Sequence, residues 1–277
     1  MDITCIVPSR GRVRGLSALL HGMRFLESGK HRVHYAVACD DDDAATMSYC
    51  AEIKKHILLG YKAGPRRQTM GDYFNEMALL MPAQVYVLAN DDMLVLSDEW
   101  DDVIAKAVEE TPHGVFWWTS AGKQNVLVPI ITEKWRQAQG GLFTSFFPFW
   151  YDDLCLAELW VMTTDRDNII LPINIIDKPR TVTHRMRELI FWQKVYNASR
   201  VLRVTQAEEI AEKLGLPKPQ GSKHIAEALT DHVGNVSDER LQQIQDNQGD
   251  REPPDEAYKT AKANALKKFP HLVQNAA

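Results

Sequence analysis

The chain has 277 residues, of which 45% are hydrophobic and 25% charged, and its formal net charge is -5. That composition is typical of a globular protein with one large domain or two modest ones. The acidic balance argues against a uniformly basic nucleic-acid-binding surface. No apolar run approaches the roughly 20 residues of a membrane-spanning helix, so we expect no membrane partner.

The cysteines and the start of the chain bear on its location. Cys5, Cys39, Cys50 and Cys155 lie mostly inside apolar runs and lack the CxxC spacing of a zinc site. We interpret them as reduced core residues. The first predicted strand follows Asp2 directly, without the apolar segment of a signal peptide. These features together predict a cytoplasmic location.

The first part of the chain alternates predicted strands and helices. Short β-branched or apolar runs predict strands over residues 3–9, 31–43 and 84–89. Apolar residues at helical spacing predict helices over residues 10–28, 44–57 and 65–81, and another from about residue 97. This alternation predicts an α/β fold, with a mostly parallel sheet flanked by helices.

The pattern changes after Pro112. Strand-like segments cover residues 114–122, 126–132 and 168–177, and an aromatic-rich segment with a helical stretch covers residues 143–162. From Thr205 onward the segments are amphipathic helices joined by polar linkers. We therefore predict a domain over residues 1–204 and a C-terminal helical appendage over residues 205–277.

Three of the predicted strands end in, or lead directly into, candidate ligand-binding residues. In chain order they are Pro8, Ser9, Arg10 and Arg12, then the acidic run 40–43, then Asn90, Asp91 and Asp92. The carboxyl ends of parallel strands lie at one edge of a sheet, where ligands of α/β proteins bind. We therefore expect the three segments to converge in space.

These segments resemble a known family. An N-terminal "IVPSRGR", a second strand that ends in Asp, and a third that ends in an Asp-x-Asp-like triplet are similar to the family-2-like nucleotide-sugar glycosyltransferases of the GT-A fold. The resemblance covers roughly residues 1–190. It implies a GT-A-like (Rossmann-like) domain whose first loop holds the nucleotide. It also implies that Asp40 or Asp41 contacts the base or ribose.

The triplet Asn90-Asp91-Asp92 is the metal-binding element that the resemblance implies. Asp92 is the predicted ligand of a divalent Mn²⁺ or Mg²⁺ ion, since both ions prefer hard oxygen ligands. Asp91 is predicted to help by reaching the nucleotide. Asn90 departs from the family pattern, although its amide can still bond to the nucleotide. The alternative is that the acids cap a helix in solvent.

Basic residues and one histidine complete the predicted donor site. Arg10 and Arg12 open a helix, where backbone N–H groups already favour phosphate. Arg66 and Arg67 precede a helix, and the family that the chain resembles has a similarly placed basic segment near the donor. A guanidinium matches phosphate in a bidentate way, and of the two we select Arg67. His184 takes the place of the family's further metal ligand. The alternatives are surface arginines without a ligand, a structural histidine and, for residues 40–43, a solvated acidic loop.

The segment "FWYDDLCLAELW" offers a general base. Its aromatic neighbourhood can raise a carboxyl pKa and bind a ring-shaped acceptor. Either Asp153 or Asp152 fits the base that deprotonates the acceptor hydroxyl. We prefer Asp153, with Asp152 capping the following helix. The alternative is that both acids are helix caps.

These features predict a metal-dependent, inverting transferase that moves a sugar from a nucleoside-diphosphate sugar, such as a UDP-sugar, to a hydroxyl. The chain also looks like enzymes of bacteriophage genomes that glycosylate hydroxymethylated pyrimidines. DNA is therefore a candidate acceptor, with the host cytoplasm as location and aromatic residues stacking on an extruded base. The alternatives are a nucleotidyltransferase and a catalytically degenerate nucleotide-sugar binding module.

Overall fold

The computed structural model describes residues 1–120, 129–144, 146–149, 151–177, 187–219, 236–246 and 254–272. The chain divides into two compact units. The first comprises Met1–Arg66, Asp72–Leu142 and Asn168–Thr181, and the second comprises Arg67–Gly71, Phe143–Asp167 and Val182–Ala277. The predicted boundary after residue 204 lies inside a helix of the second unit, and that division stays a prediction.

An eight-stranded sheet forms the centre of the first unit, in the order β3-β2-β1-β4-β7-β6-β8-β5. The strands are β1 (Asp2–Ser9), β2 (Arg32–Asp40), β3 (Leu59–Gly64), β4 (Val85–Leu88), β5 (Met93–Val95), β6 (Val115–Ser120), β7 (Pro129–Thr132) and β8 (Ile169–Asp177). Strands β1 to β4 pair in parallel, whereas β7 runs antiparallel to β4 and β6, and β5 antiparallel to β8. The predicted α/β architecture is confirmed.

Helices connect the strands of the first unit. They are α1 (Val13–Phe25), α2 (Ala44–Ile53), α3 (Met70–Leu80), α4 (Trp100–Glu110) and α5 (Glu133–Gln139). Helix α4 begins three residues later than predicted, because the Ser97 hydroxyl accepts the backbone N–H of Asn174 in β8 at 2.8 Å. Ser97 is therefore bound to the sheet and does not start the helix.

Burial explains which strands the sequence predicts. Every residue from Ile3 to Val7 of β1 is buried, as expected for a strand that is covered on both faces. By contrast, all six residues of β3 are only partly buried, and Gly60 and Gly64 are among them. The sequence patterns missed β3 because an edge strand of this composition has neither an apolar run nor strict alternation.

The described helices of the second unit are α6 (Asp152–Thr164), α7 (Leu189–Ala198), α8 (Arg200–Leu214), α9 (Asp238–Asp246) and α10 (Glu256–Lys268), with a 3₁₀ turn at Pro270–Leu272. Their core is rich in aromatic side chains, including Phe147, Trp192 and Tyr196. Leu241 of α9 and Tyr258 of α10 belong to the same core. The described part of the C-terminal segment is thus helical.

The four cysteines are buried and form no disulfide. Burial raises the pKa of the Cys5 and Cys155 thiols well above the ordinary value. They are core thiols, as their apolar surroundings in the sequence predict. Within the described ranges, no helix is long and apolar enough to cross a membrane.

Candidate functional site

The loop after β1 meets the turn after β4 through a network of hydrogen bonds. The Ser9 hydroxyl donates to Asp91 Oδ2 at 2.7 Å. Arg12 Nη1 lies 3.0 Å from Asp91 Oδ1 and 3.3 Å from Asp92 Oδ2. The two segments converge because β1 and β4 are parallel neighbours, with Ile6 opposite Leu88.

A glycine of α1 allows this approach. A Cβ atom added at Gly15 would lie 2.2 Å from the backbone oxygen of Asp91. Any larger residue would therefore push α1 away from the turn and separate Arg12 from the two acids. Gly15 has no signal in the sequence, because the close approach depends on tertiary packing rather than on a local motif.

Asp91 and Asp92 lie in different environments. Asp91 is buried, and burial raises its pKa although the charge of Arg12 and the hydrogen bond from Ser9 oppose the shift. The Asp92 side chain is 23% exposed and can reach a ligand. Asn90 is exposed beside them. The chain enters strand β5 directly after Asp92, so the capping alternative for this triplet is wrong.

The acidic run after β2 contains a buried carboxylate. Asp40 is buried, accepts a hydrogen bond from the Tyr73 hydroxyl, and accepts Arg10 Nη1 at 2.9 Å. Arg66 Nε lies 3.9 Å from the same carboxylate. Asp41 is exposed, and its backbone N–H donates to Gly64 of β3 at 2.9 Å. The predicted nucleotide contacts thus include one fixed acid and one accessible acid.

The other two acids of the run hold the loop in place. Arg10 Nη2 donates to Asp42 Oδ2 at 2.8 Å, and this bond lowers the pKa of Asp42. Asp43 caps α2 through the N–H of Thr46 at 3.2 Å and accepts the N–H of Gly11 at 2.7 Å. Burial alone would raise the pKa of Asp43, but the hydrogen bonds outweigh it, so the pKa is lowered. The run is therefore not a solvated loop throughout.

A divalent cation fits the donor atoms at Asp92. Mg²⁺ and Mn²⁺ use hard oxygen ligands, and Mg²⁺ commonly takes one or two carboxylates together with substrate phosphates and water. Among the described residues, no three His, Cys, Asp or Glu side chains form a metal-binding group. An ion held by the Asp92 carboxylate would need its further oxygen ligands from phosphate or water. His184 lies outside the described residues.

The remaining predicted donor residues occupy different places. Pro8 lies in β1 opposite Ala38 of β2. Arg67 belongs to the second unit, and its predicted phosphate contact stays a prediction. Arg66, which we did not select, lies near Asp40. Tyr73 of α3, which donates to Asp40, was also not predicted. Its position in a helix gives no sign in the sequence that its hydroxyl reaches the end of a strand.

The acid pair of the second unit lies in the first turn of α6. Its N-cap residue is Tyr151, which makes no side-chain capping bond, so the predicted cap at Asp152 is wrong. Asp152 is buried and accepts the Thr144 hydroxyl at 3.4 Å. Asp153 is half-buried, and this burial raises its pKa to about 6, against an opposing hydrogen bond from the N–H of Leu154.

Tyr151 has an unusual backbone. Its φ is 80°, in the left-handed region that bulky residues rarely adopt. Such a conformation costs about 1–3 kcal/mol and persists where the surroundings hold it. Its ring contacts Phe147, with centroids 5.5 Å apart, and stacks on Tyr196 at 5.1 Å. Strain of this kind is common at functional sites, which draws attention to the two acids beside it.

Comparisons with known proteins support the fold. No family model matches the sequence, and a search of curated proteins gave no match. TarS 1-349 of S. aureus in complex with UDP-GlcNAc aligns with a TM-score of 0.63 and 12% identity, over 99% of this chain and 82% of that one. The mannosyltransferase PcManGT from Pyrobaculum calidifontis, in complex with GDP-Man and Mn²⁺, gives 0.56 and 13%, over 99% and 88%.

The chain has the GT-A glycosyltransferase fold. TarS 1-349 in complex with UDP also aligns, with a TM-score of 0.52 and 10% identity, over 88% of this chain and 78% of that one. The fold class predicted from the three strand ends is confirmed.

Proposed function

We propose that the protein is a metal-dependent glycosyltransferase that moves a sugar from a nucleoside-diphosphate sugar to an acceptor hydroxyl. One observation carries the proposal: on this fold, Ser9 and Arg12 join the loop after β1 to Asp91 and Asp92. The structural neighbours were solved with UDP-GlcNAc, UDP or GDP-Man, and one of them with Mn²⁺.

The donor residues divide into contacts and supports. Asn90, Asp41 and Asp92 have exposed or partly exposed side chains and are the proposed contacts to the nucleotide and the metal. Ser9 and Asp91 bond to each other, so they hold the turn in place. We favour a UDP-sugar as donor, with Asp40 fixing the loop that receives the base and ribose.

Arginines supply positive charge at the same edge. Arg10 pairs with Asp40 and Asp42, and Arg12 with Asp91 and Asp92. A guanidinium carries five N–H donors in a planar fork that matches phosphate oxygens. A bound divalent metal would neutralise the leaving diphosphate. Asp92 would hold it, and His184 is the second proposed ligand.

Asp153 is the proposed general base. A carboxylate with a pKa of about 6 is ionised at neutral pH and is more basic than an ordinary aspartate. It accepts the proton of the acceptor hydroxyl while that oxygen attacks the anomeric carbon and the bond to the diphosphate oxygen breaks. A single displacement of this kind inverts the anomeric configuration. Asp152 is the proposed alternative to Asp153 as the general base.

The proposal extends to the chemical identity of the acceptor. A hydroxymethylated pyrimidine in DNA offers a suitable primary hydroxyl. Phe147, Phe149 and Tyr151 are buried in the core of the second unit, so these three rings are not exposed to an extruded base, and the stacking by aromatic residues stays a prediction. An acceptor screen therefore needs small hydroxylated compounds as well as DNA.

The test is a screen of UDP-sugars and GDP-mannose with Mn²⁺, against acceptors that include DNA with 5-hydroxymethylcytosine, read by mass spectrometry. The proposal predicts free nucleoside diphosphate and an acceptor heavier by one sugar. Pyrophosphate as the product would indicate a nucleotidyltransferase. Nucleotide-sugar binding without turnover of any donor would indicate a binding module.

A further inference from the structure

The second unit contains a buried ion pair that the proposed reaction does not use. Arg203 Nε of α8 lies 2.6 Å from Glu158 Oε2 of α6, and each side chain is only 4% exposed. Arg203 Nη1 also donates to the backbone oxygen of Tyr196 at 2.7 Å and to the Ser199 hydroxyl at 2.6 Å. Replacing a buried ion pair with apolar residues is often neutral or stabilising, so stability alone is a weak explanation for it.

The ion pair holds one aromatic ring. The Tyr196 hydroxyl donates to Glu158 Oε1, and the Arg203 guanidinium lies 4.2 Å from the ring centroid of Tyr196. A cation over the face and a carboxylate at the hydroxyl fix the ring along two directions. Tyr196 is fully buried, so solvent does not compete with either contact.

Tyr196 in turn holds the start of α6. Its ring stacks on that of Tyr151 at 5.1 Å with an interplanar angle of 28°. The backbone oxygen of Tyr151 accepts the first helical N–H, from Cys155, at 2.8 Å. Since Tyr151 has a left-handed φ of 80°, its conformation depends on contacts that hold its side chain. Asp152 and Asp153 are the next two residues.

We propose that Tyr196, held by Glu158 and Arg203, is a positioning residue that fixes Tyr151 and thereby the first turn of α6, which carries Asp152 and Asp153. The inference rests on the proposed function, in which Asp153 takes the proton of the acceptor. Proton transfer requires heavy atoms within hydrogen-bond distance, so a small shift of this turn lowers the rate of the chemical step.

The test compares two substitutions at Tyr196. Tyr196→Leu removes the ring that stacks on Tyr151, whereas Tyr196→Phe keeps the ring and removes only the hydroxyl. A displacement of about 1 Å can cost up to about 10²-fold in rate, so we expect Tyr196→Leu to lower kcat by about 10- to 100-fold. The KM for the donor stays unchanged, because the strand-end donor residues of the first unit do not contact Tyr196. Tyr196→Phe keeps the ring beside Arg203 and loses only the contact with Glu158, so it lowers kcat less than Tyr196→Leu does.

Tyr258→Leu is the matched control. Tyr258 is another buried tyrosine of the same core; its ring contacts Trp192, and its hydroxyl donates to Glu188 at 2.7 Å. Tyr258→Leu removes a ring of the same size without touching Tyr151, so kcat per folded molecule stays near the wild-type value. Thermal unfolding of both variants gives the folded fraction.

A second variant keeps the inference testable if Tyr196→Leu does not fold. Tyr151→Gly removes the stacked ring and adopts a positive φ without strain. We expect the same loss of kcat with an unchanged donor KM. A wild-type kcat in Tyr151→Gly, or an equal loss in Tyr196→Leu and Tyr258→Leu, overturns the positioning role.

Asp153→Asn separates this inference from the proposed function. If Asp153→Asn abolishes transfer while Tyr196→Leu and Tyr151→Gly retain wild-type kcat, only the positioning inference fails. If Asp153→Asn transfers sugar at the wild-type rate, the proposed base is wrong and the positioning role falls with it.

Discussion

Aspartates at the strand ends of the first unit and at the start of α6 in the second show what surroundings do to one side chain. Arg10 lowers the pKa of Asp42, and hydrogen bonds from Thr46 and Gly11 lower that of Asp43. In the second unit, burial raises the pKa of Asp153 to about 6. Charged neighbours stabilise a carboxylate, whereas removal from water makes it a better proton acceptor.

The difference separates two chemical tasks. The acids of residues 40–43 fix a loop. The cation proposed at Asp92 would require a negatively charged oxygen ligand. The acid of α6 suits proton transfer, which requires a pKa nearer to neutrality. Asp91 combines both influences, because burial raises its pKa while Arg12 and Ser9 oppose the rise.

Replacing Asp153, the proposed base of the second unit, has the largest expected effect. Asp153→Asn keeps the shape of the side chain but cannot accept a proton, so kcat for transfer falls by about 10²–10⁴-fold. Steady-state kinetics with saturating donor measures the loss. Glu209→Gln, which removes an exposed acid of α8, is the control and keeps wild-type kcat. A kcat for Asp153→Asn within twofold of wild type would show that Asp153 is not the general base.

Removing the accessible acid of the first region comes next. We expect Asp92→Asn to lower metal-dependent transfer by about 10²–10³-fold, because charge stabilisation at the leaving group is lost. Asp98→Asn removes an exposed acid shortly after β5 and should leave the rate unchanged. Mn²⁺ titrations of the transfer rate measure both, and equal rates in the two variants would contradict the assigned role of Asp92.

The pH dependence tests the contrast directly. The pKa of Asp153 is raised to about 6, and the ionised form is the base, so activity is lost as pH falls through that value. Below it, kcat falls by about tenfold per pH unit, and above it the rate is level until another group titrates. An acid limb near pH 4 in a kcat profile would show that Asp153 has an ordinary pKa or another role.

Arg12 tests the electrostatics of the first region. Its guanidinium contacts both Asp91 and Asp92, so a metal must bind beside a positive charge. Arg12→Met should therefore strengthen Mn²⁺ binding without nucleotide by about tenfold, which is about 1.4 kcal/mol. Electron paramagnetic resonance of free Mn²⁺ measures the affinity. Arg12→Lys keeps the charge and should bind Mn²⁺ as the wild type does. Tighter Mn²⁺ binding in both variants would show that the positive charge of Arg12 is not what weakens binding.

Ser9 should have the smallest effect. Ser9→Ala removes one hydrogen bond to the buried Asp91 carboxylate, which still accepts from Arg12. The free energy of unfolding should fall by about 1.5–3 kcal/mol, typical of a hydrogen bond to a charged group. Urea denaturation measures it, with the exposed Ser48→Ala as control. No change would mean that this bond does not fix the turn.

The sequence predicts the convergence at the strand ends because parallel pairing follows from the alternation of strands and helices. The cap at Asp43 was not predicted, although Asp before a helical run is a recognised start signal. Gly15 and Tyr73 could not be predicted, because their contacts with Asp91 and Asp40 arise only after helices pack on the sheet. The cap at Asp152 was wrong for a similar reason.

In that case tertiary packing overrides a local preference. A sequence rule places Asp, Ser, Thr or Asn at the N-cap, whereas the fold places Tyr151 there in a left-handed conformation. The stacking on Tyr196 comes from α7, which is 38 or more residues further along the chain. No local pattern around Asp152 contains that information.

The most direct test of the central claim is a calorimetric titration of UDP into the wild type and into Asp92→Asn, each with and without Mn²⁺. If a metal held by Asp92 helps to bind the diphosphate, Mn²⁺ strengthens UDP binding to the wild type and has no such effect on Asp92→Asn. Equal strengthening in both proteins, or no binding of UDP to the wild type with Mn²⁺, would contradict a metal-assisted diphosphate site at the ends of β1 and β4.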